Sequence, residues 1–478
     1  MDELRTKRIK LGLAPTRRNL FSVEDSLRQK ALIEAKLREW GVDFVNLDSV
    51  NAQGLLYDTA DARKVVALFK EQAVDAVFCP HVNFGTENAV AYVGREIGKP
   101  FLLWGPRDEA PDEKGERLRD TQCGLFATSK VLRRFGVPFS YIVNSRVSDE
   151  VFERGFKTFL GAAAAANSFL GARIGQISTR PDGFYTVIVN EGELLERWGI
   201  ELIGTTLVDL TEALKKRVAR PTDELEQTVA DFQSRAEFPN TSDDQIRMMA
   251  AMKLELLAWA EREALDAIAI QCWNGLQAAC GVMPCFVDSE LTGLGLPVAC
   301  ETDVHGALTS LLSLNAAQTT PTFFTDLTVR HPENENGELL WHCGPFPMKL
   351  AVEGGPRKVS GHYLLPTECP GTAEWQIRGG DLTLARFDGD HGEYSLFIGE
   401  ARGCEGPYTR GTYVWIEVGN WPLWEETLIY GPYIHHCVGV HAKIAPALAE
   451  ACRFLPGLRA DPVEPTEAEI RAWLRGGR

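Results

Sequence analysis

Over the first 160 residues, short apolar runs alternate with longer stretches in which apolar positions recur every three or four residues. RIKLGLA (residues 8–14) reads as a first strand, and the following stretch as a loop and a helix that ends at Gly41. Ser22 with Asp25 predicts a capping box for that helix, and Leu27, Ala31, Ala35 and Leu37 its apolar stripe. VDFVNL, VDAVFCP, PFLLWGP and PFSYIV then read as strands, separated by the helical patterns ARKVVALFKEQ, ENAVAYVGREIG and TSKVLRRFG. Strands spaced by helices of about 10–15 residues predict βαβ units and a parallel sheet.

GAAAAANSFLGA predicts a linking helix, after which the same rhythm resumes. ARIGQISTRPDGFYTVIVNEGELLERWGIELIGTTLVDL reads as strand, loop, helix and strand. Two long amphipathic helices follow over TDELEQTVADFQSRA and SDDQIRMMAAMKLELLAWAERE, then the strand DAIAIQC and the loop WNGLQAACGVMP. Beyond Pro345 the texture changes to short β-prone runs broken by Gly and Pro: KLAVEGG, GHYLLP, EWQIRGG, LTLARFDGD, GEYSLFIGEARG and GTYVWIEVG. This spacing predicts an antiparallel sheet or barrel. A last helix, AKIAPALAEACRFL, and an acidic-then-basic tail close the chain. The expected fold class is α/β, with two Rossmann-like parallel-sheet domains over 1–160 and 161–345. A C-terminal antiparallel β-rich, barrel-like domain then runs over 346–478. At about 150 residues per domain, 478 residues suit three.

Composition narrows the class. With 50 Lys and Arg against 66 Asp and Glu, the net charge of −16 supplies no basic footprint for a nucleic acid. The N-terminus lacks a secretory apolar core, and no run reaches the ~18 apolar residues of a membrane span, so a cytoplasmic location is expected. Eleven scattered cysteines without a CxxC pair suit reduced, mostly buried thiols.

Candidate chemistry gathers between Leu296 and His342. GLGLPVAC delivers Glu301 and Asp303 to the start of the apolar pattern ALTSLLSL, PTFF delivers Asp326, and LLW delivers His342. Acids and imidazoles at the ends of buried runs are costly unless a cation offsets their desolvation. GPYIHHCVGVH supplies His435, His436 and His441 near the C-terminus. Glu301, Asp326, His342 and His436 form the sharpest metal-ligand set, of a kind that suits Mn²⁺, Co²⁺ or Mg²⁺ rather than a thiophilic ion. The competing reading makes the two acids, Glu301 and Asp326, helix caps or loop acids held by backbone amides, and His342, next to Cys343 and Pro345, a satisfied core or loop residue. Gln271, Trp273 and Asn274, in the loop after the strand DAIAIQC, sit where open α/β sheets bind ligands, with core packing and a turn as the alternative for Trp273 and Asn274. CPHVNFGTEN offers His81, Asn83 and Glu87 at another strand end. Arg17 and Arg18 follow the first strand, and Arg180 lies in TRPDGFY. These three could meet an anionic substituent on a substrate, or be solvated charges.

Several of these phrases resemble those of L-fucose and L-arabinose isomerases. ACETDVHGALT resembles the metal-binding glutamate phrase, and TFFTDLT the second carboxylate phrase in its fucose-isomerase form, with aspartate. WHCGPFP resembles the histidine phrase of the arabinose enzymes, and GPYIHHCVGVHA their paired-histidine segment, with His436 in the ligand place. ARIGQISTRPDGFYT and KLGLAPTRRNLFSVEDSL resemble fucose-isomerase segments. The resemblance implies a Mn²⁺-dependent aldose–ketose isomerase, homo-oligomeric as a hexamer or smaller assembly with sites near subunit interfaces. Glu301 and Asp326 would be both ligands and proton carriers, and His342 a ligand or a contact to a substrate hydroxyl. L-fucose, D-arabinose, L-arabinose, other pentoses and an acidic sugar such as sulfoquinovose all remain open as substrates. A sugar-binding protein without catalysis, or a metal-dependent hydrolase or lyase, are the alternatives.

Overall fold

The computed structural model describes residues 4–365 and 368–477. The chain forms two compact units, one built on Lys7–Asn167 with Ala449–Leu455 and the C-terminal helix, the other on Ser168–Leu448 with Pro456–Thr466. Among the described residues no helix is long and apolar enough to cross a membrane.

In the first unit, strands β1 (Leu11–Leu13), β2 (Phe44–Val45), β3 (Ala76–Pro80), β4 (Phe101–Trp104) and β5 (Ser140–Tyr141) form a parallel sheet in the order β2-β1-β3-β4-β5. The crossover helices are Val23–Glu39, Thr59–Glu71, Glu87–Ile97 and Thr121–Arg134. Ser22 caps the first of them, its Oγ accepting the Asp25 N–H at 3.1 Å. The predicted stripe is corrected, however. Leu27 is 39% exposed, Ala31 and Ala35 face solvent, and the helix instead turns Gln29, Ile33 and Leu37 inward with Asp25. The cause is polar: Arg119, fully buried, donates to Asp25 Oδ2 at 2.7 Å, and a buried guanidinium left without its carboxylate costs more than an exposed leucine gains. The alanine run read as a linking helix lies inside a longer helix, Glu150–Phe169, with Ala162–Ala166 fully buried.

In the second unit, β6 (Arg173–Ile177), β7 (Glu201–Thr205), β8 (Ala267–Ile270) and β9 (Val298–Ala299) form a parallel sheet ordered β7-β6-β8-β9. The two amphipathic helices are present as Asp223–Arg235 and Asp243–Arg262. A nine-stranded sheet follows, of β10 (Thr322–Arg330), β11 (Gly337–His342), β12 (Lys358–Gly361), β13 (Pro370–Gln376), β14 (Asp381–Asp390), β15 (Glu393–Gly403), β16 (Thr412–Glu417), β17 (His436–Val440) and β18 (Leu458–Glu464). Its order is β12-β13-β16-β11-β10-β17-β14-β15-β18, and β15 also pairs with β16. That extra pairing closes the antiparallel strands β16-β11-β10-β17-β14-β15 into a barrel. The α/β class with a C-terminal antiparallel barrel is therefore what the chain adopts.

Four local expectations change. β10 and β11, read as the close of the second α/β region, are barrel strands, because their backbone groups pair with β17 and β16. KLAVEGG is a single 3₁₀ turn, Met348–Leu350, and a loop rather than a strand. The tail forms β18 and the helix Glu467–Leu474. GHYLLP supplies only Gly361 to β12, and its Pro366 lies outside the described residues.

The helix Val304–Ala317 runs between parallel sheet and barrel, packing on β8, β14 and β17 with Val304–Ala316 buried on every side. Its apolar circumference is what a doubly covered helix requires. The residues just before it therefore enter the interior whatever their polarity.

Candidate metal centre

The carboxyl ends of β6, β8 and β9 open at one edge of the parallel sheet, where strand order reverses and open sheets bind ligands. Leaving β9, the chain makes one 3₁₀ turn, Cys300–Thr302, before the buried helix. Glu301 and Thr302 both adopt φ of +56°, a left-handed conformation costing about 1–3 kcal/mol for a residue with a side chain. Thr302 is tied by its hydroxyl to the Thr179 carbonyl at 3.2 Å. The turn swings Glu301 toward the barrel.

There it meets three barrel residues. Asp326 lies on β10 opposite His436, which opens β17, and His342 ends β11. Nε2 of His342 stands 3.6 Å from Glu301 Oε2 and 3.9 Å from Asp326 Oδ1. Nε2 of His436 stands 4.0 Å and 3.6 Å from the same two oxygens. All four separations exceed hydrogen-bond length. Glu301 Oε2 and Asp326 Oδ1 are buried atoms without a hydrogen-bond partner among the described residues. The other oxygen of Glu301 is satisfied, accepting from Trp273 Nε1 at 2.9 Å and Cys272 Sγ at 3.3 Å. Phe324 packs its ring against both imidazoles, and of the four side chains only that of Asp326, 22% exposed, reaches solvent.

Two orphaned carboxylate oxygens facing two imidazole nitrogens fit a small hard dication. Donors each about 2.1 Å from one ion stand about 3–3.5 Å apart, a few tenths of an ångström closer than these. The residues expected to hold a metal are thus brought together.

The two imidazoles differ. Nδ1 of His436 lies 2.9 Å from Asp303 Oδ2; a carboxylate only accepts, so the proton is on Nδ1 and the Nε2 lone pair faces the centre. Nδ1 of His342 instead accepts the Cys343 backbone N–H at 2.9 Å, so a neutral ring carries its proton on Nε2, facing Glu301 and Asp326. His436 thus turns a lone pair toward the two orphaned oxygens, and His342 an N–H.

Asp303 was seen in the sequence but given no role. Its Oδ1 accepts the Gly306 N–H at 2.9 Å, capping the buried helix, and both its oxygens accept from Arg386, Nη2 to Oδ1 at 3.2 Å. A Cβ on Gly306 would come within 2.8 Å of Asp303 Oδ2 and 2.4 Å of Phe324, so glycine leaves the carboxylate its place. Arg386 Nε also donates to Asp388 Oδ2 at 2.8 Å, and Asp388 Oδ1 meets His305 Nδ1 at 2.9 Å. The readable sign was Arg386 and Asp388 two apart beside the apolar residues Leu382, Leu384, Ala385 and Phe387.

Burial opposes ionisation of Asp303, but Arg386 and His436 outweigh it and hold the carboxyl far below its usual range. Burial likewise pushes Glu301 up, and the imidazoles of His342 and His436 bring it below its ordinary value. At Asp326 burial wins and the carboxyl is raised.

The remaining candidates divide. His435 is exposed at the rim, its ring 4.3 Å from that of His436, and with Asp326 and His436 it forms a possible ligand group. Trp273 positions Glu301 and packs edge-on against Phe184 at 4.9 Å. Asn274, at φ +60°, is a turn residue before the helix Gly275–Cys280, and Gln271 continues the sheet pairing through its N–H to Ile177. Arg180 lies 4.8 Å over the Tyr185 ring. His441 leaves the far end of β17 and bonds the Arg378 carbonyl at 2.7 Å, about 17 Å along the strand from His436 at about 3.3 Å per residue. It is not brought to the centre.

Arg17, Arg18, His81 and Asn83 converge within the first unit, beyond β1 and β3, where its strand order reverses. Asn83 Oδ1 accepts the Arg18 N–H at 2.7 Å, and Arg18 lies 4.2 Å over the Phe84 ring and 3.7 Å from Glu87. Arg17 lies 4.6 Å over Tyr57. His81 Nδ1 donates to the Phe84 carbonyl at 2.9 Å, its Nε2 is buried without a partner, and burial pushes the ring down to about 4.

Residues 12–170 match the family model described as "Fucose/sulfoquinovose isomerase, N-terminal domain". A protein named sulfoquinovose isomerase from Priestia aryabhattai is 26% identical over 393 residues, covering 81% of this chain and 85% of that one. Another of that name, from Alkalicoccus urumqiensis, is 25% identical over 384 residues, covering 80% and 84%. A third, from Clostridium sp. (strain MSTE9), is 25% identical over 293 residues, covering 59% and 62%. Residues 12–170 are thus similar to the fucose/sulfoquinovose isomerase N-terminal domain, and most of the chain's length is similar, at 25–26% identity, to proteins named sulfoquinovose isomerase.

Proposed function

We propose that this chain is a metal-dependent aldose–ketose isomerase, acting on a sulfosugar of the sulfoquinovose type through an enediol. The sulfosugar is supported by the relatives, three of which bear that substrate in their names. The mechanism is supported above all by Glu301 Oε2 and Asp326 Oδ1, orphaned in the interior and facing the Nε2 atoms of His342 and His436. Glu301, Asp326 and His436 would hold Mn²⁺, with Co²⁺ or Mg²⁺ as substitutes. Bound there, the ion supplies chelation of two adjacent sugar oxygens and polarisation of the carbonyl.

The chain's own groups do the rest. Glu301 and Asp326 carry a proton between C1 and C2, one removing it and the other returning it. Trp273 and Cys272 fix the free oxygen of Glu301 toward the centre. His342 donates its Nε2–H to a substrate hydroxyl, and His435 at the rim offers a second polar contact. Phe324 keeps the floor dry.

The test is ketose formation from sulfoquinovose, L-fucose, D-arabinose and L-arabinose by the Mn²⁺-loaded protein, with and without chelator and with Glu301→Gln. Turnover of the sulfosugar that disappears with chelation and in the variant is the expected result. If no sugar turns over and Glu301→Gln leaves metal content unchanged, the reading fails.

A further inference from the structure

Beside the carboxylate–imidazole centre lies a group of thiols of which the isomerisation uses only Cys272, as a donor to Glu301. Cys272, Cys285, Cys300 and Cys343 are all buried and unbridged. Cys343 Sγ lies 3.2 Å from Cys285 Sγ and 3.2 Å from His342 Nδ1. At 3.2 Å the two sulfurs are inside ordinary van der Waals contact, and bonding them needs a shift of about 1 Å.

The backbones are also suitably close. Gly344, next to Cys343, has no room for a side chain: a Cβ there would lie 2.7 Å from Cys285 Cβ and 3.0 Å from its carbonyl carbon. The end of β11 therefore rests directly on the first turn of the helix Cys285–Gly293, and that contact holds the two cysteines together.

Access is one-sided. Cys343 lines a small cleft with Trp341, His362, Tyr363 and Arg410, and retains 8% exposure, while Cys285 behind it has none. A small oxidant meets Cys343 first, with Cys285 positioned to resolve the product.

We propose that Cys343 and Cys285 form a reversible, peroxide-modifiable redox pair in the wall of the centre. The Cys343 thiol is oxidised by a hydroperoxide to a sulfenic acid, the peroxide leaving as water or alcohol. The Cys285 sulfur attacks that sulfur, an S–S bond forms, and the sulfenic oxygen leaves as water with the Cys285 proton. In sum two thiols lose two electrons and two protons, and one peroxide is reduced. A dithiol reductant reverses the step by exchange. The proposal goes beyond the isomerase reading and does not depend on it.

The experiment is done on the full chain carrying Cys123→Ser, which removes the exposed thiol that could cross-link copies. After hydrogen peroxide, free-thiol titration and peptide mapping are expected to show two thiols lost per chain, a Cys285–Cys343 cross-linked peptide, and recovery with dithiothreitol. With Cys285→Ala added, Cys343 is expected to accumulate as a sulfenic acid captured by dimedone, with no cross-link. With Cys343→Ala, Cys285 is expected to stay reduced. A cross-link of either residue to Cys300, oxidation of Cys343 past the sulfenic acid without a cross-link in the Cys123→Ser protein, or two thiols still lost in the Cys343→Ala chain would overturn the proposal. Because the readouts are thiols and peptides, failure here leaves the isomerase reading untouched, and failure of that reading leaves this one.

Discussion

Asp303→Asn tests how the centre is held without touching a proposed ligand. The substitution keeps the side chain's shape and exchanges one carboxylate oxygen for an amide nitrogen. If that nitrogen takes the place of Oδ2, it faces His436 Nδ1 and Arg386 Nη1, both of which donate to the native oxygen. It would meet the guanidinium donor to donor, and could satisfy His436 only by donating to Nδ1, which moves the ring proton to Nε2 and blocks the lone pair aimed at Glu301 and Asp326. In the opposite rotamer the amide confronts the Gly306 N–H and Arg386 Nη2 instead. Either way a fully buried guanidinium keeps only Asp388 as a charged partner. Loss of one member of such a network costs on the order of 3 kcal/mol of stability. Loss of a carboxylate that orients a ligating histidine costs about 10–100-fold in metal affinity, or about 1.4–2.7 kcal/mol. The assay is Mn²⁺ titration calorimetry alongside urea midpoints of the metal-free protein. Asp388→Asn is the control: it leaves the same guanidinium with one carboxylate, but its imidazole partner is His305, so stability falls similarly while Mn²⁺ affinity changes by less than about threefold. Equal Mn²⁺ affinities in the two variants would refute the assignment of Asp303 as the group that orients His436.

Glu301→Gln is expected to weaken Mn²⁺ binding by about 100-fold or more, and to lower the urea midpoint of the metal-free protein at pH 7, because the imidazoles of His342 and His436 hold the native carboxyl below its ordinary value and its ionised form therefore contributes stability; an unchanged or higher midpoint would show that they do not offset its burial. His342→Gln keeps an N–H donor and should hold Mn²⁺ affinity within about threefold while kcat/KM falls about tenfold or more; a loss of metal as deep as in His436→Gln would make His342 a ligand after all. Glu338, 3% exposed with Oε2 unpartnered, is raised by burial to about 7. Its contribution to stability is therefore present below the ordinary glutamate value and lost as pH rises through about 7, by at most about 3 kcal/mol. Urea midpoints between pH 5 and 8 should fall in the native chain and flatten in Glu338→Gln, and an unaltered slope in the variant would show that another group titrates.

The ligand set was legible because a charged or imidazole side chain abutting an apolar run is visible in one dimension. Glu301, Asp326 and His342 each follow such a run and His436 opens one, and each run proved to be a buried element. What makes the set specific was hidden. Arg386 reaches Asp303 across 83 residues, through the placement of β14 beside the buried helix, and no local pattern states that placement. The error over Leu27, Ala31 and Ala35 has the same origin: a stripe drawn from hydropathy ignores Arg119, which lies 94 residues from the Asp25 it draws inward. His441 was grouped with His436 by proximity in sequence, although five strand residues separate side chains by about 17 Å. Polar Asp461 and Glu464 concealed β18, which among the described residues pairs with β15 alone and needs no continuous apolar face.

Charge balance gives the strongest physical reason to expect a cation. Glu301, Asp303, Asp326 and Asp388 bring four carboxylates into one cluster, and Arg386 is the guanidinium inside it. That guanidinium is engaged by Asp303 and Asp388, which also receive the Nδ1–H groups of His436 and His305. Glu301 and Asp326 are left with indole, thiol and imidazole groups, which bring Glu301 below its ordinary value but leave Asp326 raised by burial, so one of the two charges removed from water is not offset. One dication would balance both, at the point where Glu301 Oε2, Asp326 Oδ1 and His436 Nε2 are already directed. On the proposed function, the interior is divided into a half neutralised by the chain's own arginine and a half that would take a cation from solution. Asp303 belongs to the first half yet sets the ring orientation on which the second depends, and the difference between Asp303→Asn and Asp388→Asn isolates that link.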